Sequence, residues 1–318
     1  MERQVRWGIL GNAMIAREYM IPAMRGSKRS RAAAIASRGP LPADFLPELR
    51  RYPDYEALLR DPEIEAVYVP VPNALHAEWS VRAMERGKHV LCEKPMACTE
   101  AEGRRMADAA RANGVLLMEA FMYRYGGKFR AMREILRGGE LGRIRGVRAC
   151  HGYLLDWKSP ARQDPALGGG CLYDVGCYCV DAVNEIARLQ GARLCEARSV
   201  MRLEGGVDVH SSACLLCGDG MTASLDCWFD GKERQELVLL GERGTLRVPN
   251  LFEPGPGRLE LTGPDGPRTI ETADEADPYG LEADAFSAAI LGMESELVPL
   301  SGTMENLRTL DLLLRERP

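Results

Sequence analysis

At 318 residues the chain is too long for one small core and fits two domains, or a nucleotide-binding unit with an appended sheet. Its 46% apolar and 27% charged residues are ordinary for a globular protein. A net charge of -5 argues against nucleic acid as a partner, and no apolar run approaches the length of a membrane span.

Met1-Glu2-Arg3-Gln4 lacks the apolar segment of a signal peptide, so the expected location is the cytoplasm. Val5 to Leu10 is an apolar run ending in Gly11, followed by Ala13, Ile15, Ala16 and Met20 at helical spacing: strand, tight turn, helix. Ala32 to Ala36 predicts a second strand, stopped by Ser37-Arg38-Gly39-Pro40. Tyr55 to Leu59 reads as a short helix, Ala66 to Val71 as a buried strand and Ala74 to Arg86 as a helix. His89 to Cys92 is the next strand, then a helix from Thr99 to Asn113 with Thr99 as cap and Gly114 as stop, then a strand from Val115 to Met118. Strands alternating with helices at this spacing imply a parallel sheet with right-handed crossovers.

After about residue 122 the rhythm changes. Gly146–Leu154, Cys195–Leu203, Val209–Leu216, Met221–Trp228, Gln235–Leu240 and Thr245–Val248 alternate or run apolar between turn signals, which predicts an antiparallel sheet. Pro254 to Pro267 reads as a Gly/Pro-rich turn region, and helical pattern returns at Leu281–Ile290 and Met304–Leu314. The expected fold is therefore α/β: a doubly wound parallel sheet over 1–122 and an α+β domain with an open, mainly antiparallel sheet over 123–318, whose C-terminal helix packs back on the first domain. Ten cysteines raise a metal or disulfide question. Cys214 and Cys217 have C-x-x-C spacing but no partner pair, and in a strand they face opposite sides, so reduced core cysteines and no metal are expected.

Several segments carry chemistry. The turn Gly8-Ile9-Leu10-Gly11-Asn12-Ala13-Met14-Ile15-Ala16 would aim helix amides at a pyrophosphate, although it keeps only Gly11 of a G-x-G-x-x-G pattern. Where the second strand ends, an acidic residue would read a free ribose hydroxyl; Ser37-Arg38 suits a 2'-phosphate and favours NADP over NAD. Pro70-Val71-Pro72-Asn73 with His76 follows the strand bordering the chain reversal, the usual cofactor crevice in such sheets. Glu93-Lys94-Pro95 sets a lysine at the end of a buried strand, an expensive place for an ammonium without a bound partner. Gly168-Gly169-Gly170 precedes a helical run in which Asp174 and Tyr178, four apart, share one face, so that the carboxylate could orient the phenol or tune its proton affinity.

Together with Met118-Glu119-Ala120-Phe121-Met122-Tyr123-Arg124-Tyr125 and Pro278-Tyr279-Gly280-Leu281-Glu282, these segments resemble the glucose-fructose oxidoreductase, inositol dehydrogenase and rhizopine catabolism (Gfo/Idh/MocA) family, in order from about residue 5 to 315. Met118 to Tyr125 is most similar to the branch of trans-dihydrodiol and xylose dehydrogenases. The resemblance implies a Rossmann domain, a second domain with an open sheet through which copies associate as dimers or tetramers, and a cofactor in the cleft between them. It implies hydride transfer between nicotinamide and a carbinol carbon of a sugar, cyclitol or related polyol. By position, Lys94, Asp174 and Tyr178 would be catalytic. Gly8, Gly11, Asn12, Ala13, Met14, Ile15, Ser37, Arg38, Pro70, Pro72, Asn73, His76, Glu93, Lys94 and Arg124 would bind NADP, with NAD as the alternative; Tyr123, Tyr153, Trp157, Arg162 and Tyr178 would face substrate.

Many family members have histidine where Tyr178 stands. A phenol near pKa ~10 needs more help than an imidazole near ~6.5, and Lys94 would supply it. Gly126-Gly127 replaces the branch's usual His-Pro, which points to a looser substrate loop, and the stretch after Arg38 is short and proline-rich. Two rival readings keep the fold: glycoside cleavage by transient oxidation, and a cofactor-sensing regulator without turnover. Retention of Lys94, Asp174 and Tyr178 together speaks against the second rival, because a sensor has no need of a proton relay.

Overall fold

The computed structural model describes residues 3–37, 39, 41, 46–156, 160–274 and 276–315. The chain divides into two compact units, Met1–Met122 with Ala276–Leu300 and Tyr123–Glu275 with Ser301–Pro318.

In the first unit, β1 (Val5–Leu10), β2 (Ser30–Ala36), β3 (Arg50–Tyr52), β4 (Ala66–Val69), β5 (His89–Glu93) and β6 (Leu117–Ala120) form a parallel sheet in the order β3-β2-β1-β4-β5-β6. The order reverses between β1 and β4, as in a doubly wound fold, and the sequence motifs follow the carboxyl ends of β1, β2, β4 and β5. β4 is buried at every residue, the reason its sequence is continuously apolar rather than alternating. β3 has no counterpart in the sequence expectations: it is three residues long, and its arginines are exposed.

Helices α1 (Ile21–Arg25), α2 (Tyr55–Leu59), α3 (His76–Glu85) and α4 (Glu100–Asn113) connect these strands. α4 is bounded as its sequence predicts: the Thr99 hydroxyl accepts from Glu102 N–H, and Gly114 closes it at φ 64. The helix after Gly11 differs from expectation. It opens with a widened, π-type turn at Ala16–Met20 just before Pro22, which has no N–H to give the ladder. Among the helices after the sheets, α8 (Pro278–Ile290) belongs to this unit. Its Ser287 hydroxyl accepts from Trp7 Nε1 at 3.0 Å, and Phe286 packs 5.7 Å from the buried Trp7 ring.

The second unit opens with α5 (Gly127–Gly138), where Gly126-Gly127 suggested a loose loop; Gly127 N–H donates to Asp274 Oδ1 at 2.7 Å. Its sheet runs β14-β13-β12-β11-β7-β10-β9-β8. The strands are β7 (Ile144–Leu154), β8 (Leu194–Glu204), β9 (Val207–Cys217), β10 (Thr222–Trp228), β11 (Asp230–Gly241), β12 (Thr245–Pro249), β13 (Gly257–Gly263) and β14 (Gly266–Thr272). The sheet is mixed, not purely antiparallel, because β10 runs parallel to β7 from Thr222↔Gly146 to Trp228↔Gly152. The chain between them, through α6 (Pro160–Gln163), α7 (Cys177–Leu189), β8 and β9, is long enough for the crossover a parallel pair requires.

β13 and β14 form a hairpin where the sequence reads as a turn region; Gly266 at φ 93 ends its turn. The C-terminal helix α9 (Leu300–Leu314) packs within this unit, its Asn306 Oδ1 accepting from Asn184 of α7 at 2.9 Å. Cys214 is exposed and Cys217 buried, on opposite faces of β9. No helix among the described residues is long and apolar enough to cross a membrane.

Candidate active site

The first unit gathers its motifs at one sheet edge. Gly11 turns the chain out of β1 at φ 118, a conformation other residues rarely adopt, and its N–H donates to Ala36 O at 2.8 Å. In the same turn Asn12 Oδ1 is buried without a hydrogen-bond partner among the described residues, so the turn holds an acceptor still seeking a donor. Met14 is half exposed at the start of the helix. The Ser37 hydroxyl accepts from Gly39 N–H at 3.2 Å, and Arg38 lies outside the described residues. These features fit a dinucleotide along this edge: a glycine turn leading into a helix, an orphaned buried amide oxygen, and serine rather than a carboxylate directly after β2.

Glu93 and Lys94 are half-buried at the end of β5. Glu93 Oε2 accepts from Lys94 N–H at 3.2 Å, and Glu93 Oε1 accepts from the Tyr68 hydroxyl. Behind them Glu119 Oε1 takes the Met96 N–H at 2.8 Å. Glu282 of α8 is fully buried, and neither carboxyl oxygen has a hydrogen bond of normal geometry among the described residues. Burial, and then the Glu93 charge, push its pKa well above the carboxylate range against a small opposing pull from the Phe121 main chain.

His76 differs from the ligand-facing role expected of it. It is 1% exposed, and its two ring nitrogens lie 2.8 Å from the carbonyl oxygens of Pro95 and Val71. Its polar atoms are engaged by the main chain of the two turns that hold Pro70, Pro72, Asn73 and Lys94.

In the second unit the triple glycine packs against the chain before it: a Cβ on Gly169 would stand 2.6 Å from Arg162 O. That closeness brings Arg162 to Asp174. Asp174 Oδ2 accepts from Arg162 Nε at 2.8 Å and from the Tyr153 hydroxyl at 2.6 Å. The sequence expected Asp174 to stack on Tyr178 along one helix face. A π-type turn, Leu172–Gly176, intervenes before α7 and widens the helix, so residues four apart no longer align as in an α-helix. Asp174, and then Tyr153 and Tyr178, raise the pKa of Arg162 against burial. The half-exposed Tyr178 ring lies 5.8 Å from Tyr123, 5.4 Å from His151 and 5.4 Å from Phe252, with His151 stacked on Phe252. Trp157 lies outside the described residues.

Tyr123 and Arg124 also differ from the contacts expected of them. Tyr123 is 1% exposed and donates its hydroxyl to Asp181, while Arg124 makes a two-pronged pair with Asp181 at 2.8 and 2.9 Å and reaches Glu185 at 3.2 Å. Burial opposes the Arg124 charge more than any single neighbour favours it, but Asp181, Tyr123 and Glu185 together outweigh burial and hold the pKa above the usual range. Both side chains anchor the opening residues of the second unit to α7. Asp181, Glu185, His151 and Phe252 escaped the sequence reading, and Glu282 entered it only as part of the 278–282 segment; Asp181 and Glu185, four apart in an apolar helix, were the only signal of the buried ion network.

The first 5–121 residues match the oxidoreductase family with an NAD-binding Rossmann fold, and residues 129–247 match the GFO/IDH/MocA C-terminal domain. The chain belongs to the Gfo/Idh/MocA family. It is 37% identical over 314 residues to D-xylose 1-dehydrogenase (NADP+) 2 of Haloferax volcanii, covering 96% of this chain and 95% of that protein. To trans-1,2-dihydrobenzene-1,2-diol dehydrogenase of Xenopus laevis it is 28% identical over 289 residues, 88% of this chain and 87% of the other. The fold superposes on a 3-ketoreductase from Actinomadura kijaniata, solved with NADP and TDP-benzene, with a TM-score of 0.89 at 27% identity over 98% of both chains. As a Gfo/Idh/MocA member the protein is an NAD(P)-dependent oxidoreductase.

Proposed function

We propose that this protein is an NADP-dependent oxidoreductase that interconverts a carbinol and a carbonyl on a sugar or related polyol. The observation that carries the reading is Glu93-Lys94-Pro95 at the carboxyl end of β5: a half-buried lysine at the edge where doubly wound sheets bind dinucleotides. Kinship with an NADP-linked xylose dehydrogenase and a 3-ketoreductase supports the sugar and the cofactor.

NADP, when bound, supplies the nicotinamide C4 that takes the hydride, so a carbinol and NADP+ give a carbonyl, NADPH and a proton. Lys94 polarises the reacting oxygen and meets the nicotinamide ribose. Tyr178 takes the hydroxyl proton, and the Arg162 guanidinium, steadied by Asp174, favours its phenolate. Tyr153, bonded to the same carboxylate, faces the substrate, while Ser37 receives the 2'-phosphate. Within the first unit His76 holds the turn that carries Lys94, and within the second Tyr123, itself tied with Arg124 to Asp181, packs against Tyr178.

Copies associate through the uncovered face of the second sheet, where Val200 is 78% exposed and a groove of about 600 Å³ is lined by Arg148, Cys150, Asp226, Trp228, Arg234 and Glu236. The protein works in the cytoplasm, in keeping with its free cysteines.

Titration of NADP and NAD, followed by absorbance assays against aldoses and polyols, tests the reading. Tighter NADP binding with turnover of a sugar supports it. Tighter NAD binding would overturn the cofactor assignment, and tight NADP binding with no turnover across the panel would overturn the enzymatic one.

A further inference from the structure

The turn that carries Lys94 and the turn that follows β4 meet at one buried imidazole. His76 opens α3, with Nδ1 2.8 Å from Pro95 O and Nε2 2.8 Å from Val71 O. Pro95 directly follows Lys94, and Val71 lies within the Pro70–Asn73 turn. Both carbonyls only accept, whereas a neutral imidazole has a single N–H. Burial first, and the Lys94 charge as well, push the ring's pKa down to about 4 against the two carbonyls that favour its protonated form. At neutral pH the ring therefore carries one proton, and one carbonyl is gripped at a time while the other faces a nitrogen lone pair.

We propose that His76 is a positioning residue whose two nitrogens face different turns: Nδ1, against Pro95 O, sets the aim of Lys94, and Nε2, against Val71 O, sets the Pro70–Asn73 turn. The consequence rests on the functional reading above, in which Lys94 acts on the reacting oxygen and the second turn meets the cofactor. The geometry rests on the two contacts alone. Loss of the Pro95 contact should then be felt in the chemical step, and loss of the Val71 contact in cofactor affinity.

Three variants separate the contacts. An asparagine amide reaches the place of Nδ1, a glutamine amide the place of Nε2, and leucine neither. With NADP and a sugar substrate, His76→Gln should lower kcat by about tenfold or more, since a small misplacement of a reacting group is costly. His76→Asn should instead raise the NADP Kd by about fivefold, the worth of one neutral hydrogen bond, with the smaller loss in kcat. His76→Leu should show both defects.

Parallel losses of kcat and affinity in all three, tracking their melting temperatures, would overturn the proposal. Wild type that fails to bind NADP would overturn the functional reading instead. Should the variants not fold, ¹⁵N NMR of the wild-type ring decides: one nitrogen-bound proton protected from exchange supports the clamp, and a freely exchanging ring titrating near its ordinary pKa overturns it.

Discussion

The two units hold their proposed reacting groups by different means. In the first, Lys94 rides on a turn whose main chain is gripped: its own N–H by Glu93, the next carbonyl by His76, and the Met96 N–H by Glu119. In the second, Tyr178 is held by side chains that arrive from distant strands and loops, with Tyr123, His151 and Phe252 around the ring and the Asp174–Arg162 pair nearby. Main-chain clamps fix a position whatever the side chain is, and side-chain clusters fix chemistry. Substitutions in the first unit should therefore separate chemistry from stability less cleanly than substitutions in the second, except at Lys94 itself.

The sharpest test is Tyr178→Phe, which keeps the ring in its aromatic cluster and removes only the hydroxyl. Turnover should fall by roughly 10²- to 10⁴-fold, the loss typical of a missing general acid or base, with NADP affinity and melting held. Retention of most of kcat would make Tyr178 a packing residue. Asp181→Ala should be the largest stability change, about 3–5 kcal/mol by chemical denaturation, because it strands the buried Arg124 charge and the Tyr123 hydroxyl. The remaining Glu185 contact pulls the effect toward the lower end. A loss below about 1 kcal/mol, the range of an exposed pair, would show that the network is not a buried anchor.

Lys94→Ala should cut turnover by about 10²- to 10³-fold, the cost of one preorganised electrostatic contact, while melting changes little since the lysine is only half-buried. Near-normal kcat would break the contrast between the units. Acid should then expose the His76 clamp. Its folded-state pKa of about 4 lies below the unfolded value of 6.5, so the unfolded chain binds the extra proton first. Its contribution is intact above pH 6.5 and lost as the pH falls toward 4, amounting to about 3 kcal/mol for a shift of this size. Denaturation of wild type and His76→Asn across that range should show the steeper slope in the wild type, since the lowered pKa of His89 acts in both.

The smallest effect is expected at Glu282. Its raised pKa makes the folded state hold a proton that the unfolded state gives up, so its destabilising contribution grows as the pH rises above the ordinary carboxylate range. Glu282→Gln should melt higher than wild type at alkaline pH, with the gap closing toward pH ~4, where the unfolded carboxyl is also protonated. The buried amide keeps the gain small, at a few degrees, because its own donors need partners. A gap that does not change with pH would mean that Glu282 does not hold its proton.

Much of the first unit was legible along the chain. Thr99 and Gly114 bound α4, Val5–Leu10 is β1 to the residue, and the motifs lie at the carboxyl ends of strands because alternating β and α elements impose that edge. β3 was missed because three residues, two of them exposed arginines, carry no period. In the second unit the positions of β7 to β12 were readable from alternation, but the β13–β14 hairpin and the parallel β7–β10 pair were not, the latter since neighbours in a sheet are chosen by the path of the intervening chain.

What the sequence by itself determined was the family and the doubly wound sheet, with Lys94, Asp174 and Tyr178 as candidates for the chemistry, because periodicity and short motifs are local properties of the chain. Only the tertiary structure decided what those residues touch. It turned His76 from ligand contact to main-chain clamp, gave Arg124 and Tyr123 to Asp181, and gave Asp174 to Arg162 and Tyr153. The physical reason is burial: once a polar group leaves water it must find a partner, and that partner comes from whichever segment the fold brings near, at sequence distances no local pattern encodes.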